Sequence, residues 1–264
     1  MISLPTNKSL GQHWLKDRHI LESIADAADV NKNDTILEVG PGLGTLTSVL
    51  LSRAKEVSAV ELDDDLARKL PEQFPGKELQ VLQQDVLHLD TSKLPHVYKV
   101  VANVPYYITS KIIRFFTTCT NPPISMTLLV QKEVAERICA QVGDMSVLAI
   151  ASQVYWRVSL GPMVEAKWFT PPPKVDSQVV VMHRREKPLV DHDHEKTFFR
   201  VVRAGFGEKR KKLRSSLAGG LALDKVVVDQ MLSEADIAHD ARAQELSVDD
   251  WLRLSQLLEA QQSK

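Results

Sequence analysis

The feature that most constrains the fold is a strand that ends on glycines. Residues Thr35–Val39 (TILEV) form an apolar run that stops at Gly40-Pro41-Gly42-Leu43-Gly44, and residues 45–52 then read as a helix. The alternation repeats along the chain. Glu56–Glu61 (EVSAVE) precedes a helical pattern at 63–70, and Leu79–Gln83 (LQVLQ) ends just before Asp85. Residues 99–102 (KVVA) run into Asn103 and are followed by a helical stretch at 110–118. Residues 126–130 (MTLLV) precede another at 132–140. A late strand is expected at 178–182, after Pro171, Pro172 and Pro173. Short strands alternating with helices at this spacing predict parallel βαβ units in an open α/β sheet.

The pattern changes near Arg185. Residues 186–195 are polar and read as a linker, and beyond them helical patterns dominate, at 196–204, 209–217, 225–234 and 248–258. Val226–Val228 is the one short strand-like run there. Two domains are expected, a sheet domain at 1–186 and a small all-helical one at 187–264. With 264 residues and 44% hydrophobic residues the chain can bury a core in each. No apolar run reaches the roughly 20 residues that span a bilayer, and residues 1–16 lack the apolar segment of a secretion signal. Cys119 and Cys139 are the only cysteines, too few for a disulfide framework or a cysteine-rich zinc site. These features predict a reduced, cytoplasmic protein with no membrane and no metal partner.

The net charge of −1 is unevenly spread. Residues 203–214 hold Arg203, Lys209, Arg210, Lys211, Lys212 and Arg214 against Glu208 alone, a local +5, which leaves −6 for the rest. Such a patch can hold a polyanion, although a solvated helix face would look the same. The run Asp191-His192-Asp193-His194 has ligand-type residues, but in a polar linker it reads as solvated charge.

Glycines after the first strand let the backbone turn tightly and approach a ligand with no Cβ in the way, and open parallel sheets take ligands beyond the carboxyl ends of their strands. The spacing is G-x-G-x-G rather than the G-x-G-x-x-G that cradles a pyrophosphate, which favours S-adenosylmethionine over a nicotinamide dinucleotide. Glu38 supplies an acid beside the loop, suited to organising it or to a methionyl ammonium. Glu61 ends the second strand, 21 residues after Gly40, where a carboxylate accepts from ribose hydroxyls. Asp85 follows the third strand, placed to accept from an adenine amino group, with Val86 beside it to pack on the ring. Each acid alone also fits a helix cap. Three strand ends carrying these groups in order argue for the cofactor.

The fourth strand runs into Asn103-Val104-Pro105-Tyr106. An exocyclic adenine amine is a poor nucleophile because its lone pair is delocalised into the ring. The amide oxygen of Asn103 and a backbone carbonyl can accept its hydrogens, which favours the more tetrahedral nitrogen of the transition state. Pro105 fixes φ and so aims that carbonyl, and Tyr106 offers a face on which the base stacks. An Asn-Pro turn beside a core tyrosine is the bland alternative. The position at a strand end of the cofactor sheet favours catalysis.

On these motifs the sequence resembles the KsgA/RsmA-type small-subunit ribosomal RNA adenine dimethyltransferases over nearly its whole length. The resemblance rests on KSLGQHWL at 8–15, EVGPGLG at 38–44, ELD at 61–63, QD at 84–85, the stretch 103–109, QKEV at 131–134, FTPPPKVDS at 169–177 and FGEKRKKLRSSL at 206–217. The last two are the most specific. The resemblance implies a Rossmann-like class I methyltransferase domain with a helical RNA- or ribosome-binding domain, using S-adenosyl-L-methionine. It implies N6,N6-dimethylation of two adjacent adenosines near the 3′ end of small-subunit rRNA in an assembling subunit. It nominates His13, Leu15, Gly40, Gly42, Glu61, Asp85 and Asn103 as cofactor contacts. Trp14 stands where the family has Phe, His13 where it commonly has Asn, and the loop at 143–146 is short. The alternatives are the related large-subunit enzymes that confer antibiotic resistance, a non-catalytic RNA-binding assembly factor, and a DNA adenine methyltransferase. The segments at 169–177 and 206–217 favour the small-subunit branch, the intact motif residues argue for catalysis, and no separate DNA-recognition domain is evident.

Overall fold

The computed structural model describes residues 13–208 and 210–262. Part of the N-terminal motif, residues 8–12, and Lys209 of the basic run lie outside them. In chain order the elements are β1 (Trp14–Leu15), α1 (Arg18–Ala27), β2 (Thr35–Val39), α2 (Thr45–Arg53), β3 (Glu56–Glu61), α3 (Asp64–Lys69), β4 (Leu79–Gln83), β5 (Lys99–Asn103), α4 (Thr109–Thr118), β6 (Ser125–Gln131) and α5 (Lys132–Ile138). There follow α6 (Val147–Gln153), β7 (Trp156–Val164), β8 (Phe169–Thr170), β9 (Ser177–Arg184), α7 (His192–Phe206), α8 (Leu213–Leu221), α9 (Lys225–Glu234) and α10 (Val248–Gln262). Val226–Val228, strand-like by sequence, is helical within α9. No helix among the described residues is long and apolar enough to cross a membrane.

The chain divides into two compact units. One runs to Glu136 and resumes over Arg157–Arg184, and the other comprises Arg137–Trp156 and the chain from Arg185 onward. A single cut at 186/187, expected from composition, differs from this at residues 137–156. That excursion belongs with the helical unit because α6 buries Ala149 and Ile150, with Val154 just after it, in one apolar cluster with Val190, Phe198 and Trp251.

The first unit is built on a seven-stranded sheet in the order β4-β3-β2-β5-β6-β9-β7. β2 through β6 pair in parallel and β9 runs antiparallel to β6. β2, β5 and β6 are apolar runs buried along nearly their whole length, as parallel strands covered on both faces must be. The side chains of Ile24, Val49 and Leu50 from α1 and α2 pack with Ile36, Val57, Val101 and Leu129 of the strands. A separate two-stranded ribbon pairs β1 with β8, Trp14 opposite Thr170 and Leu15 opposite Phe169.

The second unit is helical, and two expectations change there. The stretch 186–195 is not all linker, since α7 starts at His192. Asp193 and Glu195 lie in its first turn, where negative charge complements the helix dipole. The helix expected at 209–217 begins only at Leu213. Arg210, Lys211 and Lys212 therefore lie in the turn before α8 rather than on its faces. Clustered cations in a first helical turn oppose the macrodipole, so the chain turns before it coils. Leu213 and Leu217 are fully buried, as their spacing predicts.

Candidate active site

The loops that follow β2, β3, β4 and β5 converge on one cleft, open to solvent and about 1040 Å³ in volume including its mouth. It sits where the strand order reverses, between β2 and β5, the place at which open α/β sheets take ligands. Every residue nominated from the sequence lines it: His13, Leu15, Gly40, Gly42, Glu61, Asp85, Asn103, Pro105 and Tyr106.

The glycine loop is shaped by three positive φ angles, +67° at Gly40, +55° at Gly42 and +76° at Gly44, a region that L side chains enter only under strain. A Cβ at Gly40 would meet open space, so the loop backbone is bare toward the cleft. At Gly42 a Cβ would fall 2.3 Å from the Trp14 ring. Trp14 therefore lies directly on the loop, a contact that no local pattern announces. Leu15 beside it is buried, and its carbonyl accepts from the Thr45 hydroxyl at 2.8 Å.

Two acids stand behind the loop. Glu61 is 7% exposed, and its oxygens accept from the backbone N–H groups of Gly42 and Asp63, each at 3.0 Å. Burial raises its pKa, partly offset by these bonds. Glu38 is fully enclosed at the end of β2. Burial pushes its carboxyl up to about 8, with Thr47 drawing it down and Glu61 adding to the rise. Its Oε2 has no hydrogen-bond partner. An unpartnered, buried carboxyl oxygen in the wall of a ligand-sized cleft suits a cationic group such as an ammonium. Asp85 caps the turn that follows it, one oxygen accepting from Leu87 N–H at 2.9 Å. That turn carries the buried Val86 into the cleft wall.

Asn103 closes β5 and is half-buried, and among the described residues its amide has no partner. Pro105 holds φ −58° before the short turn that carries Tyr106. The Tyr106 hydroxyl is 2.7 Å from the Ser177 hydroxyl, and burial raises its pKa. Ser177, wholly buried at the start of β9, is a site residue the sequence did not single out, because the pair is 71 residues apart. Tyr107 lines the cleft while remaining 58% exposed.

The other charged candidates lie in the second unit. His192 and Asp193 are almost fully exposed, and His194 pairs with Glu259 at 2.7 Å. In the basic turn Lys211 pairs with Glu208, and Arg214 forms a two-pronged pair with Asp229, both bonds 2.6 Å. Arg210 and Lys212 are exposed and have no acidic partner among the described residues. The two thiols are half-buried, and burial raises both, Cys139 to about 11.

The family description "Ribosomal RNA adenine dimethylase" matches residues 4–260. A Dehalococcoides mccartyi protein named Ribosomal RNA small subunit methyltransferase A is 42% identical over 256 residues, covering 96% of this chain and 88% of its own. A protein of the same name from Clostridium botulinum is 40% identical over 258 residues, covering 94% and 92%. Among solved structures, a dimethyladenosine transferase from Plasmodium falciparum matches with a TM-score of 0.78 at 28% identity, over 95% of this chain and 98% of that one. The 23S rRNA methyltransferase ErmE matches at 0.75 and 28%, over 93% and 99%.

Proposed function

Because the chain belongs to the ribosomal RNA adenine dimethylase family, we propose that its cleft dimethylates N6 of two adjacent adenosines near the 3′ end of small-subunit rRNA, within an assembling subunit in the cytoplasm. The chemistry is that of an S-adenosylmethionine-dependent rRNA adenine dimethyltransferase on a class I methyltransferase fold. The sulfonium supplies an activated methyl group, so the protein needs neither a metal nor a strong base to make the electrophile.

The observation that carries the reading is Asn103, an amide at the tip of β5 without a partner among the described residues, beside a tethered Tyr106. In our assignment Tyr106 stacks on the target base, while the Asn103 oxygen and the carbonyl preceding Pro105 accept the amine hydrogens as the nitrogen becomes tetrahedral. Gly40 and Gly42 admit the cofactor close to the backbone, with His13 and Leu15 over it. Glu61 receives the ribose hydroxyls, Asp85 the adenine amine, and Glu38 lies toward the ammonium. The unit built from residues 137–156 and 185–264 is the RNA-binding part, with Arg210 and Lys212 on phosphates.

Methyl transfer to purified small-subunit particles and, in parallel, to purified large-subunit particles, both lacking the modification, followed by mass mapping of the labelled nucleotides, tests this. Two methyls on each of two neighbouring adenines near the 3′ end are expected. Label confined to large-subunit RNA would instead favour the reading that the ErmE likeness raises.

A further inference from the structure

We propose that Glu38 couples cofactor binding to the release of a proton: its carboxyl is neutral in the free protein and ionises as the cofactor's ammonium arrives to pair with it. This inference rests on the methyltransferase reading and on the assignment of Glu38 to the ammonium. It adds the protonation change by which position 38 selects a ligand with a cationic end.

Glu38 is the one titratable residue of β2, beside Thr35, Ile36, Leu37 and Val39. It pairs opposite Ala59 of β3 and Val101 of β5, neither of which carries a charge, and it is 1% exposed. A carboxyl so enclosed is ordinarily bonded. Its Oε2 nevertheless has no partner among the described residues, and neither has the hydroxyl of Thr47, which bears on it from α2. Nor does Glu38 hold the glycine loop. The Gly40 N–H donates to the Val60 carbonyl at 2.9 Å, that of Gly42 to Glu61 at 3.0 Å and that of Gly44 to the Pro41 carbonyl at 2.9 Å. Glu38 still lines the cleft, whose described lining holds the further carboxyls of Glu61 and Asp85 but no lysine or arginine. Burial therefore keeps the proton on Glu38 up to about 8, with Thr47 drawing the value down and Glu61, from the end of β3, adding to the rise. A charge there without a counter-charge would be costly, and the neutral acid avoids that cost.

The amino-acid end of the cofactor supplies the missing cation. As the ammonium reaches Oε2, the Glu38 O–H bond breaks, the proton passes to solvent, and the carboxylate accepts an N–H of the ligand. The Thr47 hydroxyl is placed to donate to the same carboxylate. The free protein then holds a proton that the complex lacks. Affinity accordingly rises with pH below about 8 and levels off above it.

The test is calorimetric titration of the full-length protein with S-adenosylhomocysteine, in buffers of different ionisation enthalpy, which reads the protons released. At pH 7 close to one is expected, about 0.9 for a group that titrates near 8. Affinity should rise about ninefold from pH 6 to pH 7 and less than about twofold from pH 8 to pH 9. Methylthioadenosine has the nucleoside but no ammonium, so it should bind without that proton and without that rise; its count reports any change at Glu61 or Asp85. Glu38→Gln keeps the shape of the neutral acid. It should abolish the excess count of S-adenosylhomocysteine over methylthioadenosine. At pH 8 it should weaken S-adenosylhomocysteine by roughly tenfold or more, the worth of a bond to a charged group, and leave methylthioadenosine nearly unchanged. Equal proton counts for the two ligands on the wild-type protein would overturn the inference, whether or not the variant folds. An undiminished count in a folded Glu38→Gln protein would also overturn it. A wild-type protein that binds no S-adenosylhomocysteine at all would instead sink the cofactor reading beneath it.

Discussion

Glu61 offers the sharpest test, because it joins a bonding role in the fold to a ligand role that we assign to it. Its carboxylate accepts the backbone N–H groups of Gly42 and Asp63 at 3.0 Å each, and so ties the glycine loop to the end of β3. In our assignment it also receives the cofactor ribose. Glu61→Ala leaves both N–H groups without an acceptor, at about 1–3 kcal/mol each. It also removes a carboxylate whose ionised form burial disfavours. The two effects oppose each other, and a net stability loss of about 2 kcal/mol is expected. The ribose bonds go to a charged acceptor, worth about 1.5–3 kcal/mol, so affinity should fall roughly ten- to a hundredfold. Glu61→Gln separates the jobs. One amide oxygen can still accept one N–H, while the NH2 opposes the other, so stability should be intermediate and affinity close to the alanine value. Urea unfolding without ligand reads the first quantity, and calorimetric titration with S-adenosylhomocysteine reads the second. A folded Glu61→Ala protein that binds the cofactor product as tightly as wild type would remove Glu61 from the ligand site.

Asn103→Ala should lower single-turnover methyl transfer by about a hundredfold while barely changing RNA binding, since its bond strengthens at the transition state. Tyr106→Phe retains the stacking face but orphans the buried Ser177 hydroxyl; it should cost about 1 kcal/mol in stability and keep much of the activity that Tyr106→Ala loses, as paired unfolding and turnover assays would show. Glu38, raised from 4.5 to about 8, holds a proton in the folded chain that the unfolded chain releases. Its stabilising effect is therefore complete below pH 4.5 and is lost as pH rises to about 8, by up to about 1.4 kcal/mol per pH unit; Glu38→Gln should flatten stability against pH over that window. Changing Arg210 and Lys212 to Gln should reduce the salt slope of particle binding by roughly one unit per lost phosphate contact. Arg214→Gln should act mainly on stability, because its guanidinium is engaged by Asp229; an equal drop in salt slope for Arg214→Gln would contradict that division.

Strands β2, β5 and β6 were legible from local pattern alone, because a strand buried on both faces must be an apolar run, and β3 and the unburied edge strand β4 from their place in the strand–helix alternation that parallel neighbours require. The groups lining the cleft were legible for a related reason. A doubly wound sheet presents whatever follows its strands to one crevice, so Glu61, Asp85 and Asn103 could be nominated without knowing a single contact. β7 was not visible, since its sequence WRVSLGPMV has only its two ends buried and its strand character comes from pairing beside β9. The excursion at 137–156 joins the helical unit through packing with residues such as Phe198 and Trp251, far along the chain. The start of α8 at Leu213 depended on charge against the helix dipole, which apolar spacing does not register. The Trp14 ring on Gly42 and the tethers of His13 and Tyr106 to Pro171 and Ser177 join residues 28 to 158 positions apart. Residue type at a strand end names the chemistry available there, but ring orientation and spacing arise only when distant segments meet, and no local periodicity encodes that meeting.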